Sequence, residues 1–326
     1  MVCAGALLMT VIAMSFAVAR QGTASGSSPA PPPPEANGSD PPRAETPGDR
    51  AVGTAMLALA TTSSTHDPVA SRAAASAGPV VPTRSALAAT RRYLRGRRGV
   101  TSFAVVDSAG RESGHNARLP FVSASVVKAM LLVGHLRAAR DRPLSPGERS
   151  VLGPMIRWSD NRAATRIFGS QGAPGLRRVA RASGMRRFSV GPTWTSAVIT
   201  ARDQARLFAR LDRLLPARHR DYGRGLLSSV VASQAWGIPA GAPPKWRAYF
   251  KGGWRPTVRG RLVHQVARLE GEERTVVIAV LTDGNPSHGY GTTTVRQVAR
   301  RLLAEPSTDG PATSPVASED GGPATP

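Results

Sequence analysis

Strand-forming runs lie at the two ends of one stretch of this chain, with helical patterning between them. Val100-Thr101-Ser102-Phe103-Ala104-Val105-Val106 reads as a strand, and Asp107-Ser108-Ala109-Gly110 as a turn with a second strand after it. Trp246 to Trp254, Leu262 to Leu269 and Thr275 to Thr282 read as three more strands. Between the two groups the spacing predicts helices over Ser125 to Ala139, Gly147 to Trp158, Arg177 to Ser183 and Ala201 to Leu215. Helices are also expected outside them. Arg84 to Arg98 has Leu87, Thr90 and Leu94 on one stripe, and Thr293 to Ala304 closes the pattern. Strands that far apart share a sheet only if the chain returns to it. The expected class is therefore α+β, with an antiparallel sheet built from distant segments and packed against helices. No internal repeat is visible.

The flanks cannot contribute to that core. Residues 1–19 are almost wholly apolar and end in Ala17-Val18-Ala19, a small-residue cleavage pattern, so residues 1–20 are expected to be a signal peptide or an N-terminal anchor. Residues 21–83 are rich in Pro, Ala, Ser and Gly, with Pro31-Pro32-Pro33-Pro34, and are expected to form a disordered spacer. The apolar patch Ala51 to Ala60 inside it is too short to cross a bilayer. Residues 305–326 read as a disordered tail. That leaves residues 84–304 as one folded unit, long enough for a full hydrophobic core. The leader implies an extracellular product, or one anchored with its domain outside. The one cysteine, Cys3, lies in the leader, so the folded unit has no disulfide and no thiolate metal site. The six histidines show no metal spacing, and no cofactor motif is present.

Charge is lopsided. Residues 84–304 hold 39 lysines and arginines against 12 acids, a formal charge of +27. Such a surface suits anionic polymers, including those of a cell wall. It is equally the mark of an arginine- and alanine-rich composition with a solvated basic face. No basic block interleaved with aromatics appears, so a nucleic-acid module is not indicated. Lysine itself is scarce: Lys128, Lys245 and Lys251 are all there are.

Two of those three lysines fall in short motifs. Ser125-Val126-Val127-Lys128 sets a hydroxyl and an amine three residues apart on one face of a helix start, the minimum for a self-activated nucleophile. Ser159-Asp160-Asn161 follows a helix, and Lys251-Gly252-Gly253-Trp254 lies on a strand. Singly, each has a plainer reading: Ser125 as a helix cap, Asp160 and Asn161 as a turn, Lys251 as an edge-strand charge. In this order, each on a matching element, they resemble the signature of the class A β-lactamases and related penicillin-binding proteins.

The resemblance spans about residues 84–304 and implies an antiparallel five-stranded sheet flanked by helices, with an all-helical subdomain. It implies an acyl-enzyme at Ser125, with Lys128 taking the hydroxyl proton once burial against Val127 and Met130, and the like charge of Lys251, have lowered its pKa. Ser159 would relay the proton to the leaving group and Asn161 would hold the substrate amide and Lys128. Lys251 would attract a substrate carboxylate. The backbone N–H groups of Ser125 and Trp254, beside Gly253, match the family's oxyanion hole. Arg261 is the better of two arginines, with Arg259, for the substrate carboxylate. The implied substrate is a β-lactam or a D-alanyl wall peptide, the protein a monomer. A D-alanyl-D-alanine carboxypeptidase-like enzyme and a non-catalytic module for anionic wall polymers are the alternatives.

Departures from the family matter as much. Gly252 replaces a hydroxyl residue that bonds the substrate carboxylate. The segment from Ser125 to Ser159 is shorter than in well-known class A enzymes. No loop glutamate, the base for deacylation, is visible: between Gly184 and Arg210 the only acid is Asp203, which fits a helix start, Thr200-Ala201-Arg202-Asp203. Slow turnover is therefore expected.

Overall fold

The computed structural model describes residues 82–271 and 274–304. The expected leader, most of the spacer and the tail lie outside them. Thr83 belongs to the fold: its side chain accepts from Ala86 N and caps α1 (Arg84–Arg95), which buries Ala86, Thr90 and Leu94.

The sheet takes strands from both ends of the unit, as the pattern required. β1 (Val100–Val106) is followed by β2 (Glu112–His115), and β5 (Arg247–Thr257), β6 (Gly260–Gly271) and β7 (Arg274–Asn285) form the closing run. Every pairing is antiparallel and the order is β2-β1-β7-β6-β5. Central β1 and β7 pair from Val100↔Asp283 to Val106↔Val277 and are buried on both faces. β5 is left as an edge strand. A small second ribbon pairs β3 (Phe121–Val122) with β4 (Val198–Ile199).

Alternation along β6 shows the two layers. Val263 meets Gly291 of α9 (His288–Leu302), and Gln265 meets Gly237 beside α8 (Ile238–Gly241). On the opposite face His264 bonds Val122, and Arg268 reaches the carbonyl of Ala209 at the end of α5 (Ala201–Ala209). The rest of that side is helical: α2 (Lys128–Ala138), α3 (Pro146–Arg157), α4 (Asn161–Ser183), α6 (Leu211–Leu214) and α7 (Arg220–Ser228). α2 is apolar around its whole circumference, with Ala129 to Val133 and Leu136 all buried, as a helix at the centre of a helical layer must be.

Several element boundaries differ from expectation. The helix expected from Ser125 begins as a 3-10 turn, Ala124–Val127, and becomes α-helical at Lys128. The helix expected from Arg177 starts at Asn161 and runs through a kink at Gly172 (φ 58°, ψ −171°), followed by Pro174. Gly169, Gly172 and Pro174 hid its first half, because each lowers helix propensity. The helix over Ala201 to Leu215 breaks at Arg210, and the last helix starts at His288, capped by Ser287. Among the described residues no helix is long and apolar enough to cross a membrane.

Candidate active site

Three segments from different layers meet at the β5 edge, and each arrives in a constrained backbone state. The turn carrying Ser125 opens with Ala124 at φ +44°, a left-handed conformation unusual for alanine. It is held from behind: Ser123 N donates to Ala197 O at 2.8 Å, and Ser123 is fully buried. The preceding strand is pinned by His264. Thr282 N donates to Nδ1 at 3.0 Å, so Nε2 carries the proton and donates to Val122 O at 3.1 Å. Burial pushes the His264 imidazole down to a pKa of about 4, which keeps that tautomer neutral.

Ser159 sits between α3 and α4 at φ +63°. Both Trp158 N and Asp160 N return to Pro154 O, which closes α3. The Asp160 carboxylate accepts from Ala163 N at 2.7 Å and caps α4, the structural role expected for it. Two strained residues flanking one site signal that surrounding packing over-determines their geometry. On β5, Lys251 and Gly253 face the helical layer. A Cβ at Gly253 would lie 2.7 Å from Ser125 N and 2.9 Å from Val126 N. Only glycine lets this strand press so closely on the turn that carries the hydroxyl.

These segments build one polar node. Lys128 Nζ donates to Ser159 O, to Ser159 Oγ at 3.2 Å and to Asn161 Oδ1 at 2.7 Å. Lys251 Nζ donates to the same Ser159 Oγ at 3.1 Å and to Gly252 O at 3.0 Å. Both lysines are fully buried. Burial lowers the Lys128 pKa to about 8, against the opposing effect of Asp160. Burial and the neighbouring charge of Lys128 lower Lys251 to about 7. Ser125, half-buried, stands one turn before Lys128, and its Oγ is not among the acceptors of that amine.

Of the residues expected at the site, Lys128, Ser159, Asn161 and Lys251 are hydrogen-bonded together, and Gly253 touches the Ser125 turn. Trp254 follows on the strand. Arg261 makes no hydrogen bond to this node; it lies at the start of β6, opposite Pro256 and Asn285. Arg259 is committed elsewhere, in an ion pair with Asp283 at 2.7 Å.

One residue at the node was not anticipated. Trp194, on the loop before β4, lies with its ring centroid 5.1 Å from Lys128 Nζ and donates Nε1–H to Thr165 Oγ1 at 3.1 Å. The loop's anchor is Asp203, buried, whose carboxylate accepts from Arg186 N at 3.0 Å and Arg187 N at 2.9 Å. The charge of Asp160 bears on Lys128, and among the described residues no cluster of metal-ligating side chains occurs.

Comparison with known proteins bears on the fold. Residues 148–305 match the model of the β-lactamase enzyme family, a span that contains Ser159 and Lys251 and stops short of Ser125. Solved structures superpose over most of the described region. A β-lactamase from Sphaerobacter thermophilus gives a TM-score of 0.58 at 20% identity, covering 67% of this chain and 96% of its own. A class A β-lactamase from Mycobacterium abscessus gives 0.57 at 19%, covering 67% and 98%. A glutamate mutant of PBP-A, solved as its acyl-enzyme with penicillin G, gives 0.58 at 18%, covering 67% and 95%. No curated protein matches the sequence.

Proposed function

We propose, from the premise that this chain is a β-lactamase- and penicillin-binding-protein-like serine hydrolase, that it acylates itself at Ser125 with a β-lactam or a D-alanyl peptide and releases the acyl group slowly. The observation that carries the reading is the shared node, in which one hydroxyl, Ser159 Oγ, accepts from two buried lysines with lowered pKa values.

The proposed steps are these. Neutral Lys128 accepts the Ser125 proton as Oγ bonds to the substrate carbonyl carbon. Negative charge that develops on the carbonyl oxygen meets the N–H groups of Ser125 and Trp254. As the C–N bond breaks, Ser159 passes a proton to the departing nitrogen and is resupplied from the lysine pair. Lys251 and Arg261 attract the substrate carboxylate, and Asn161 holds both Lys128 and the substrate amide. Hydrolysis of the ester then needs a base to activate water. We assign that task to no carboxylate; on the loop before β4 it is Trp194 that lies against Lys128. We also place the domain outside the cytoplasmic membrane, on the strength of the apolar leader; fractionation of cells expressing the full chain tests this.

Mass spectrometry of the protein treated with penicillin tests the chemistry. A stoichiometric adduct on Ser125, absent from Ser125→Ala, is expected. No adduct would overturn the acylation, and rapid steady-state turnover of a chromogenic cephalosporin would overturn the slow release.

A further inference from the structure

Gly252 leaves a gap on β5, on the face that a hydroxyl occupies in the family, and an indole fills it. A Cβ at Gly252 would lie 3.4 Å from Trp236 Cζ2. Two residues on, Trp254 projects to the same side of the strand. Its ring centroid is 6.1 Å from that of Trp236 at an interplanar angle of 79°. His288, the first residue of α9, closes the third side, 5.5 Å from Trp236 and 5.7 Å from Trp254. Such separations are those of favourable aromatic contacts.

The cluster is built in advance of any ligand. Gln265, fully buried on β6, holds both ends of the segment that carries Trp236. Its Nε2 donates to Gln234 O at 2.9 Å and its Oε1 accepts from Ile238 N at 2.5 Å. A wall fixed in this way binds without an ordering cost. Trp254 nevertheless keeps 40% of its surface open to solvent, beside the strand that lines the acylation site. His288 Nε2 is buried and has no hydrogen-bond partner among the described residues. Burial and the charge of Arg261 hold the imidazole below its usual pKa, so it is a neutral ring. Arg261, exposed, pairs with Asn285 three residues before His288, and its neighbour Arg259 is already paired.

We propose that Trp236, Trp254 and His288 form an aromatic subsite for a flat apolar ring of the substrate, with Arg261 holding a carboxylate borne on that ring. The assignment rests on reading this edge of β5 as the side that receives the substrate carboxylate. It replaces the lost hydroxyl contact by ring packing plus a charge-assisted pair.

A non-acylating probe separates this proposal from the chemistry at Ser125. Binding of 2-naphthoate to the full chain is followed by tryptophan quenching and by ligand-observed NMR, with 2-naphthamide and acetate as comparators. Naphthoate is expected to bind more tightly than either. Trp236→Ala and Trp254→Ala are each expected to weaken it at least about fivefold, the scale of one aromatic contact. Trp236→Phe keeps a ring in place and is expected to stay within about threefold, which separates a lost contact from a lost fold. Arg261→Gln, at an exposed position, is expected to abolish the preference for naphthoate over naphthamide. Equal naphthoate affinity in the wild type and both alanine variants would overturn the subsite. Equal binding of acid and amide by the wild type would overturn the role of Arg261.

Discussion

Ser159 Oγ is a single hydroxyl facing two amines, and that arrangement sets the pH behaviour of the site. Three acceptors surround Lys128 Nζ, enough to satisfy all three protons of an ammonium. Burial works against that charge and brings Lys128 to about 8 and Lys251 to about 7. The two interact, so the measured values belong to the pair. The rate of Ser125 acylation is expected to rise through this range, well below the ordinary lysine value of about 10.4. Lys128→Arg cannot supply a base at any working pH and is expected to cost at least about 10²-fold in acylation, read by stopped-flow labelling. Stability carries the same signature. Both folded pKa values lie below the unfolded one, so between them and about 10.4 the unfolded chain binds more protons. Stability is then expected to climb with pH across that window, and Lys251→Met to flatten the climb in urea titrations at several pH values. The lysines were legible in sequence because lysine is so rare in this chain. Trp194 was not, because nothing around Thr193 and Thr195 marks a contact with a residue more than sixty positions earlier.

At the scale of elements, the turn that carries Ser125 is placed by what presses on it. The 3-10 turn is fixed by β3, by the His264 bridge to β6 and β7, and by the bare backbone of Gly253. Gly253→Ala drives a methyl group into Ser125 N, a backbone atom that cannot move aside as a flexible side chain does. Acylation is expected to fall about 10²-fold, on the scale of a lost oxyanion donor, with the melting temperature changed much less. Loss of stability without loss of rate would show that the contact is ordinary packing. The loop carrying Trp194 has its own anchor. Asp203→Asn gives up charge-assisted bonds to two buried-side N–H groups and is expected to cost about 1–3 kcal/mol in denaturant titration. In the sequence Asp203 read as a first-turn acid, which it is: its own N–H donates to Thr200 Oγ1. What the sequence could not show is that its carboxylate turns away from the helix to a loop that precedes it. The strands and the long apolar helix were legible from periodicity. The first half of α4 was not, since Gly169 weakens its pattern and Gly172 and Pro174 break it from the second half.

Over the whole molecule, acids are scarce and already committed. Glu112 pairs with Arg202 and Arg206, Glu148 with Arg142 and His135, Asp212 and Glu270 with Arg224 and Arg268, Asp283 with Arg259, and Asp107 with Arg111. Asp160 and Asp203 hold backbone N–H groups. In a unit of formal charge +27, most of the described carboxylates are drawn into arginine pairs or caps. The slow deacylation proposed above would then follow from the charge balance as well as from one loop. Trp194 is the position to test for a base, because its ring already lies against Lys128. Trp194→Glu puts a carboxylate there, and loss of the acyl group from Ser125 is expected to quicken at least about tenfold, within the range of general-base catalysis. Trp194→Gln makes the same cavity without a base and is expected to leave the lifetime of the adduct unchanged. Time-resolved mass spectrometry of the penicillin adduct reads both. A Gln variant that deacylates as fast as the Glu variant would trace the long lifetime to exclusion of water by the indole rather than to the absent carboxylate.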